Sequence, residues 1–234
     1  MFSLNIVRRF TNDPVGTLVT LIKSTEFILL DLSEASRFTN VHSLFINSIN
    51  KVNVDGLFLE FGVYTGGTIN DIASIAADKP IFGFDSFQGL PEKWDNMPRG
   101  IFKIDYLPKV RNNVKLVKGM FEDTLKPFLH EHSEKVAFIH MDAALYSSTK
   151  YVLFTLAENN RLQRGTVIQF DELFNYNDWW DEGEYKALVD LVRQFDIRFK
   201  YLGYHSPFRR GHVSRAVSII LVKVAKAWHY GNRN

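Results

Sequence analysis

Cysteine is missing from all 234 residues. That excludes a disulfide scaffold, a thiolate metal site, an iron–sulfur cluster and a cysteine nucleophile. Long hydrophobic runs are missing too. The C-terminal run from Val217 to Val222 is strand-sized, well short of the ~18 apolar residues that a membrane span needs. Neither sign of charge dominates: 28 Lys and Arg against 26 Asp and Glu leave +2, without the basic excess of a nucleic-acid binder. One local basic cluster, Arg209, Arg210, His212 and Arg215, reads either as a solvated hairpin turn or as a contact for an anionic partner. At the start, MFSLNIVRRF puts Arg8 and Arg9 after the apolar residues, the reverse of secretory-signal order, so a cytoplasmic protein is expected.

What is present is the material of a globular core: 46% hydrophobic residues, and 20 Phe within an aromatic share of 14%. The first 50 residues carry one Gly (Gly16) and one Pro (Pro14), with apolar residues at helical spacing. Asp13-Pro14 reads as an N-cap and a first helical position. The spacing of Leu18, Leu21, Ile22, Phe27, Ile28 and Leu29 then predicts a helix, and a second is expected from Ser33 or Glu34 to Ile49. Two helices cannot bury their faces alone, so they should pack on the rest of the chain or on a second copy.

Beyond Gly56, short apolar runs alternate with helical stretches. Strands are expected at 57–61, 80–85, 113–119, 135–142, 165–172, 198–204 and 215–224. Helices are expected between most of them, but none between the last two, which read as an antiparallel hairpin. Alternation of this kind gives a mainly parallel sheet with helices on both faces. The loop from Gln88 to Val110 holds three prolines and Trp94, and is long enough to act as a lid.

Ligands of such sheets bind beyond the carboxyl ends of the strands. There the sequence places Glu60, Gly62, Asp85, Gly119, Asp142, Asp171 and Glu172. The glycines after the first strand are Gly62, Gly66 and Gly67, not the dinucleotide spacing, and Gly-Lys-Ser/Thr is lacking, which excludes a phosphate-binding loop of the ATPase kind. Glu60 would repel a pyrophosphate, whereas it suits a cationic head group, and Asp85 sits where a carboxylate accepts ribose hydroxyls. A nucleoside with a positive group and no phosphate, S-adenosylmethionine (SAM), fits both.

The segments LEFGVYTGGTI (59–69), FGFDSFQGLPEKW (82–94), GMFEDTL (119–125), HMDAALYSSTK (140–150) and GTVIQFDELFNYNDWWDEGEYKA (165–187) together resemble the macrocin/mycinamicin O-methyltransferase family, from about Phe58 to Val222. The resemblance implies a Rossmann-like class I methyltransferase fold: a mostly parallel seven-stranded sheet, an antiparallel C-terminal hairpin and helices on both faces. It implies a SAM-dependent methyltransferase domain (53–225); the helical spacing before it reads as an N-terminal extension (1–52, lid or dimer contact), and 226–234 as a tail. For SAM it implies Glu60, Gly62, Val63, Tyr64, Thr65, Gly66 and Thr68 beside the methionine part. Asp85 would hold the ribose, with Ser86 and Phe87 near the adenosine, and Gly119, Met120 and Phe121 would border the adenine. Asp142 would also face the cofactor.

The family's magnesium would fall to Asp142, Asp171 and Glu172. The residues support this independently, because strands ~4.8 Å apart let such carboxylates converge and a divalent cation relieves their repulsion. A neutralising lysine or arginine is the alternative. Asp142 and His140 are the candidate catalytic residues, and Tyr146 and His205 are weaker ones. The lysine base of catechol-type relatives is replaced by Leu145, and the second acid of the family's Asp-x-Asp by Ala144. The aromatic and acidic segment Phe174 to Tyr185 reads equally as acceptor wall or as a helix start with Trp packing.

The expected function is methyl transfer from SAM to a hydroxyl of a small molecule, such as a sugar, by a homodimer without nucleic-acid or membrane partners. A catalytically silent SAM-binding module and an NAD-dependent oxidoreductase are the alternatives.

Overall fold

The structure, a computed structural model, describes residues 14–95, 97–206 and 215–225. Asp13, the Arg209, Arg210 and His212 cluster and the 226–234 tail lie outside the described residues.

Helix α1 (Pro14–Leu30) is followed by strand β1 (Ser36–Phe38) and helix α2 (Val41–Asn50). Then come β2 (Leu57–Phe61), α3 (Gly67–Ile75), β3 (Ile81–Asp85), β4 (Val114–Lys118), α4 (Phe121–Glu131), β5 (Val136–Met141) and α5 (Tyr146–Glu158). The chain continues through β6 (Val167–Phe170), α6 (Gly183–Phe195), β7 (Arg198–His205) and β8 (Val217–Lys223). The strands form one sheet in the order β1-β7-β8-β6-β5-β2-β3-β4. Only β8 runs against its neighbours, β6 and β7. No helix among the described residues is long and apolar enough to cross a membrane.

The central strands β2, β5 and β6 are buried at every position, as strands covered on both faces must be. One face packs on α4, α5 and α6 through Leu59, Phe61, Ile139, Phe170, Leu153 and Leu188. The other packs on α2 and α3 through Phe45, Phe58, Ile69, Ile72 and Phe138. Across this second face runs a row of buried polar side chains in register: Glu60 opposite His140, His140 opposite Gln169, Gln169 opposite Ser218. Ser48 of α2 donates to Gln169 Oε1 at 2.8 Å and ties that helix to the row.

The sheet has eight strands where seven are expected. The extra one is β1, inside the stretch read as the second helix. Asn40 starts that helix late: its side chain accepts the Ser43 N–H at 2.7 Å while its backbone is still extended. The preceding residues pair parallel to β7, Ser36 opposite Gly203. A Cβ at Gly203 would lie 2.7 Å from the Phe38 ring, so only glycine lets β1 in. Helix α1 docks by Phe27, whose ring meets Trp179 at 5.0 Å and Phe174 at 5.4 Å. Its outer face leaves Leu18, Leu21, Ile22, Leu29 and Leu30 exposed.

Candidate active site

The carboxyl ends of β2, β3, β4 and β5 open into a cavity of about 870 Å³, open solvent at its mouth included. Gly62, Tyr64, Asp85, Ser86, Gly119 and Met120 line one side. The loop between β3 and β4 supplies Leu90, Trp94 and Phe102, and Asp142, Ala144 and Glu172 close the far side. Among the described residues the lining holds Asp85, Glu122, Asp142 and Glu172 but no Lys, Arg or His. Its potential therefore favours a cation and disfavours a phosphate.

Asp85 organises the first turn. Its Oδ2 accepts the N–H groups of Val63 and Tyr64, both at 2.8 Å, and its Oδ1 accepts that of Phe87 at 2.6 Å. The glycine before this turn is required by space. Gly62 has φ +95°, and a Cβ there would run into the carbonyl oxygen of Asp142. The turn after β2 and the turn after β5 can thus touch, which brings Asp142 to the cavity. The Asp142 N–H closes the contact by donating to Phe61 O at 2.8 Å.

The other residues expected around SAM are placed as follows. Gly62, Tyr64, Asp85, Ser86, Gly119, Met120, Phe121 and Asp142 line the cavity. Val63 and Phe87 are buried behind it. Thr65, Gly66 and Thr68 do not line it. Neither does Glu60: with the side chains of successive strand residues on opposite faces, it points into the α2–α3 side and is fully buried. There its Oε1 meets His140 Nδ1 at 2.8 Å. His140 is likewise without exposed surface, so as a direct catalytic residue it is corrected: no substrate can reach its ring. Burial alone would lower the His140 pKa, but Asp171 and Glu60 on its two sides outweigh that and carry it up to about 10. Tyr146 donates to Asp190 Oδ2 at 2.7 Å on the α5–α6 surface, and neither it nor His205 lines the cavity.

The three expected magnesium ligands do not make a cation site. Glu172 Oε1 holds the Arg215 guanidinium at 2.9 Å, and Asp171 Oδ1 faces His140 Nε2 at 3.9 Å. Among the described residues no group of three or more His, Asp or Glu side chains is placed to hold a metal ion. Glu172 is thus paired with a basic side chain of the kind the sequence raised as the alternative.

One acid was not singled out for the site from the sequence. Glu184, at the start of α6, is fully buried beneath the cavity. Its Oε2 accepts the Glu172 N–H at 3.0 Å and its Oε1 the Ala143 N–H at 3.3 Å. The only signal was its place in an acid-rich helix start, which a solvated N-terminus explains as well. Burial, then the carboxylates of Asp171, Glu172 and Glu184, push Asp142 well above the usual carboxylate range, against a counter-pull from His140.

Residues 59–173, just under half of the chain, match the model of a methyltransferase domain. The match runs from within β2 to just past the end of β6 and includes all the residues of the cavity wall. The structure of CalS11, calicheamicin methyltransferase, is similar to this chain with a TM-score of 0.58 and 21% identity, over 98% of this chain and 91% of that one. The apo structure of CalS11, TDP-rhamnose 3'-O-methyltransferase, gives 0.52 and 21%, over 98% and 93%. A comparison with curated proteins finds no match. The chain thus shares the Rossmann-like fold of these solved enzymes, with a mixed, mostly parallel sheet. The narrower macrocin/mycinamicin resemblance rests on the sequence motifs alone.

Proposed function

We propose that the chain is a SAM-dependent O-methyltransferase acting on a hydroxyl of a small molecule, with a sugar-bearing acceptor the favoured class. The observation that carries the reading is the cavity's charge: among the described residues its lining holds Asp85, Glu122 and Asp142, with Glu172 paired to Arg215 outside it, and no basic side chain, in the segment that matches a methyltransferase-domain model. SAM when bound supplies a methyl group already activated on a positive sulfonium. The residues fit it. Asp85 keeps lone pairs free for ribose hydroxyls beyond its three N–H bonds, Gly119 and Met120 offer a backbone edge, and the close approach at Gly62 leaves room for the ligand beside Asp142.

The chain's own part is positioning and proton handling. Asp142 is at the cavity, and its raised proton affinity suits a carboxylate that takes the hydroxyl proton as the oxygen attacks. Trp94 and Phe102 offer apolar faces against which a sugar or ring can align and exclude water. CalS11, the sugar O-methyltransferase with the similar fold, supports the acceptor class. Magnesium is left out of the proposal, because Glu172 is paired with Arg215. The exposed leucine face of α1 supports a homodimer, to be tested by sedimentation of Leu21→Glu, which should run as a monomer.

The test is turnover of SAM over a panel of nucleotide sugars, polyketide glycosides and catechols, read as S-adenosylhomocysteine (SAH) release. Asp142→Asn should lower turnover by ~10²-fold or more on any accepted substrate. SAH binding without turnover of any panel member would favour the silent-module alternative.

A further inference from the structure

The corner where the sequence suggests a divalent ion is built around an arginine. Arg215 leads into β8, and its Nη1 donates to Glu172 Oε1 at 2.9 Å, with the two side chains only 17% and 16% exposed. The backbones are tied as well, since Leu173 N–H donates to Arg215 O at 2.9 Å. A desolvated, charge-assisted pair of this kind is costly to break from one side. The guanidinium carbon also lies 5.6 Å from the ring centroids of both Trp94 and Tyr176, whose rings are 6.0 Å apart. The same cation therefore neutralises an acid of the site and holds the aromatic residue of the β3–β4 loop that lines the cavity.

A second observation, independent of Arg215, concerns Ala144. Its φ is +56°, a conformation that Asp or Asn adopts more readily than Ala. Backbone preference thus favours an acid here, yet the residue is alanine. The reason is packing: Ala144 forms a small apolar cluster with Trp94 and Leu145, with Leu90 and Met97 against it. A carboxylate at that position would be desolvated under the indole and repelled by Asp142.

Given the methyltransferase reading, we propose that Arg215 is the resident cation of this active site. It takes the place of a divalent ion at Glu172 and seats Trp94 on Ala144, so that the cavity is shaped without metal. Arg215 is a positioning residue: it does not line the cavity but acts through Glu172 and Trp94.

The test reads Mn²⁺ binding by electron paramagnetic resonance, SAH binding by calorimetry, and turnover with and without a chelator. The wild-type protein should bind SAH, show no bound Mn²⁺ and turn over equally with and without chelator. Arg215→Met should bind Mn²⁺ through the released Glu172 carboxylate together with its neighbours Asp142 and Asp171. Its turnover should fall by roughly ten- to a hundredfold, the scale of a small misplacement, and recover in part with Mg²⁺. Arg215→Lys should stay indifferent to metal. Wild-type protein that binds SAH but loses turnover on chelation overturns the arginine inference and leaves the methyltransferase reading standing. So does an Arg215→Met that gains no Mn²⁺ and loses no turnover. Failure of wild-type protein to bind SAH overturns the methyltransferase reading itself. The wild-type measurements decide the matter even if Arg215→Met does not fold.

Discussion

Glu184 reaches back from α6 to accept the backbone N–H of Glu172 at 3.0 Å, so one buried carboxyl fixes the turn after β6. Its other oxygen takes the N–H of Ala143 in the turn after β5. One side chain therefore sets the spacing of the two turns that carry Asp142 and Glu172. Glu184→Ala is predicted to cost about 2–4 kcal/mol in urea unfolding, because two N–H groups lose their partner. Glu184→Gln should cost less, since the amide oxygen can still serve one of them. Equal stability of both variants and wild type would contradict this.

Gly62 is predicted to tolerate no side chain. With φ +95° and the Asp142 carbonyl against it, Gly62→Ala must separate the two turns or twist the backbone. Strain of this kind costs about 1–3 kcal/mol, and it falls on the cavity wall. Thermal unfolding should show a lower midpoint, and calorimetry weaker SAH binding. Wild-type SAH affinity in Gly62→Ala would refute the role given to this contact.

Asp85→Ala removes the acceptor of three backbone N–H groups as well as the expected ribose ligand. Hydrogen bonds to a charged group contribute ~1.5–3 kcal/mol each, so SAH affinity should fall by at least about tenfold. Asp85→Asn should fall between the two, having one carbonyl oxygen left. An unchanged dissociation constant in Asp85→Ala would remove Asp85 from the site.

The Glu60–His140 pair makes a pH prediction. Both groups bind protons more tightly in the fold: His140 is carried up to about 10, and burial raises Glu60 despite the neighbouring imidazole. A raised His contributes stability that is full below its ordinary value near 6.5 and is lost as pH rises through its folded value. The raised Glu60 has the same sign. The stability gap between wild type and the Glu60→Gln/His140→Gln double variant should therefore shift against the wild type from pH 6 to pH 10. A gap that stays constant or shifts the other way contradicts the assignment.

The strand and helix order was readable from residue 57 onward because buried parallel strands are short apolar runs with helical stretches between them. The helix expected from Ser33 or Glu34 begins only after Asn40, because the preceding residues pair as a strand. What decides them is not local: the Asn40 cap and the bare edge of β7 at Gly203. Asp85, Gly62 and Asp142 were legible as residues following strands. Glu60 was not, since position alone does not say which face a strand residue occupies; the pairing with His140 does. Arg215 lies some 40 residues from Glu172 in sequence, and no local pattern joins them.

The measurement closest to the central claim is calorimetric titration of the intact protein with SAH and, separately, with NAD. A cavity lined by carboxylates and, among the described residues, by no basic side chain should bind SAH with a dissociation constant on the order of micromolar and give no heat with the dinucleotide. Binding of NAD, or no binding of SAH at saturating concentration, would contradict the account.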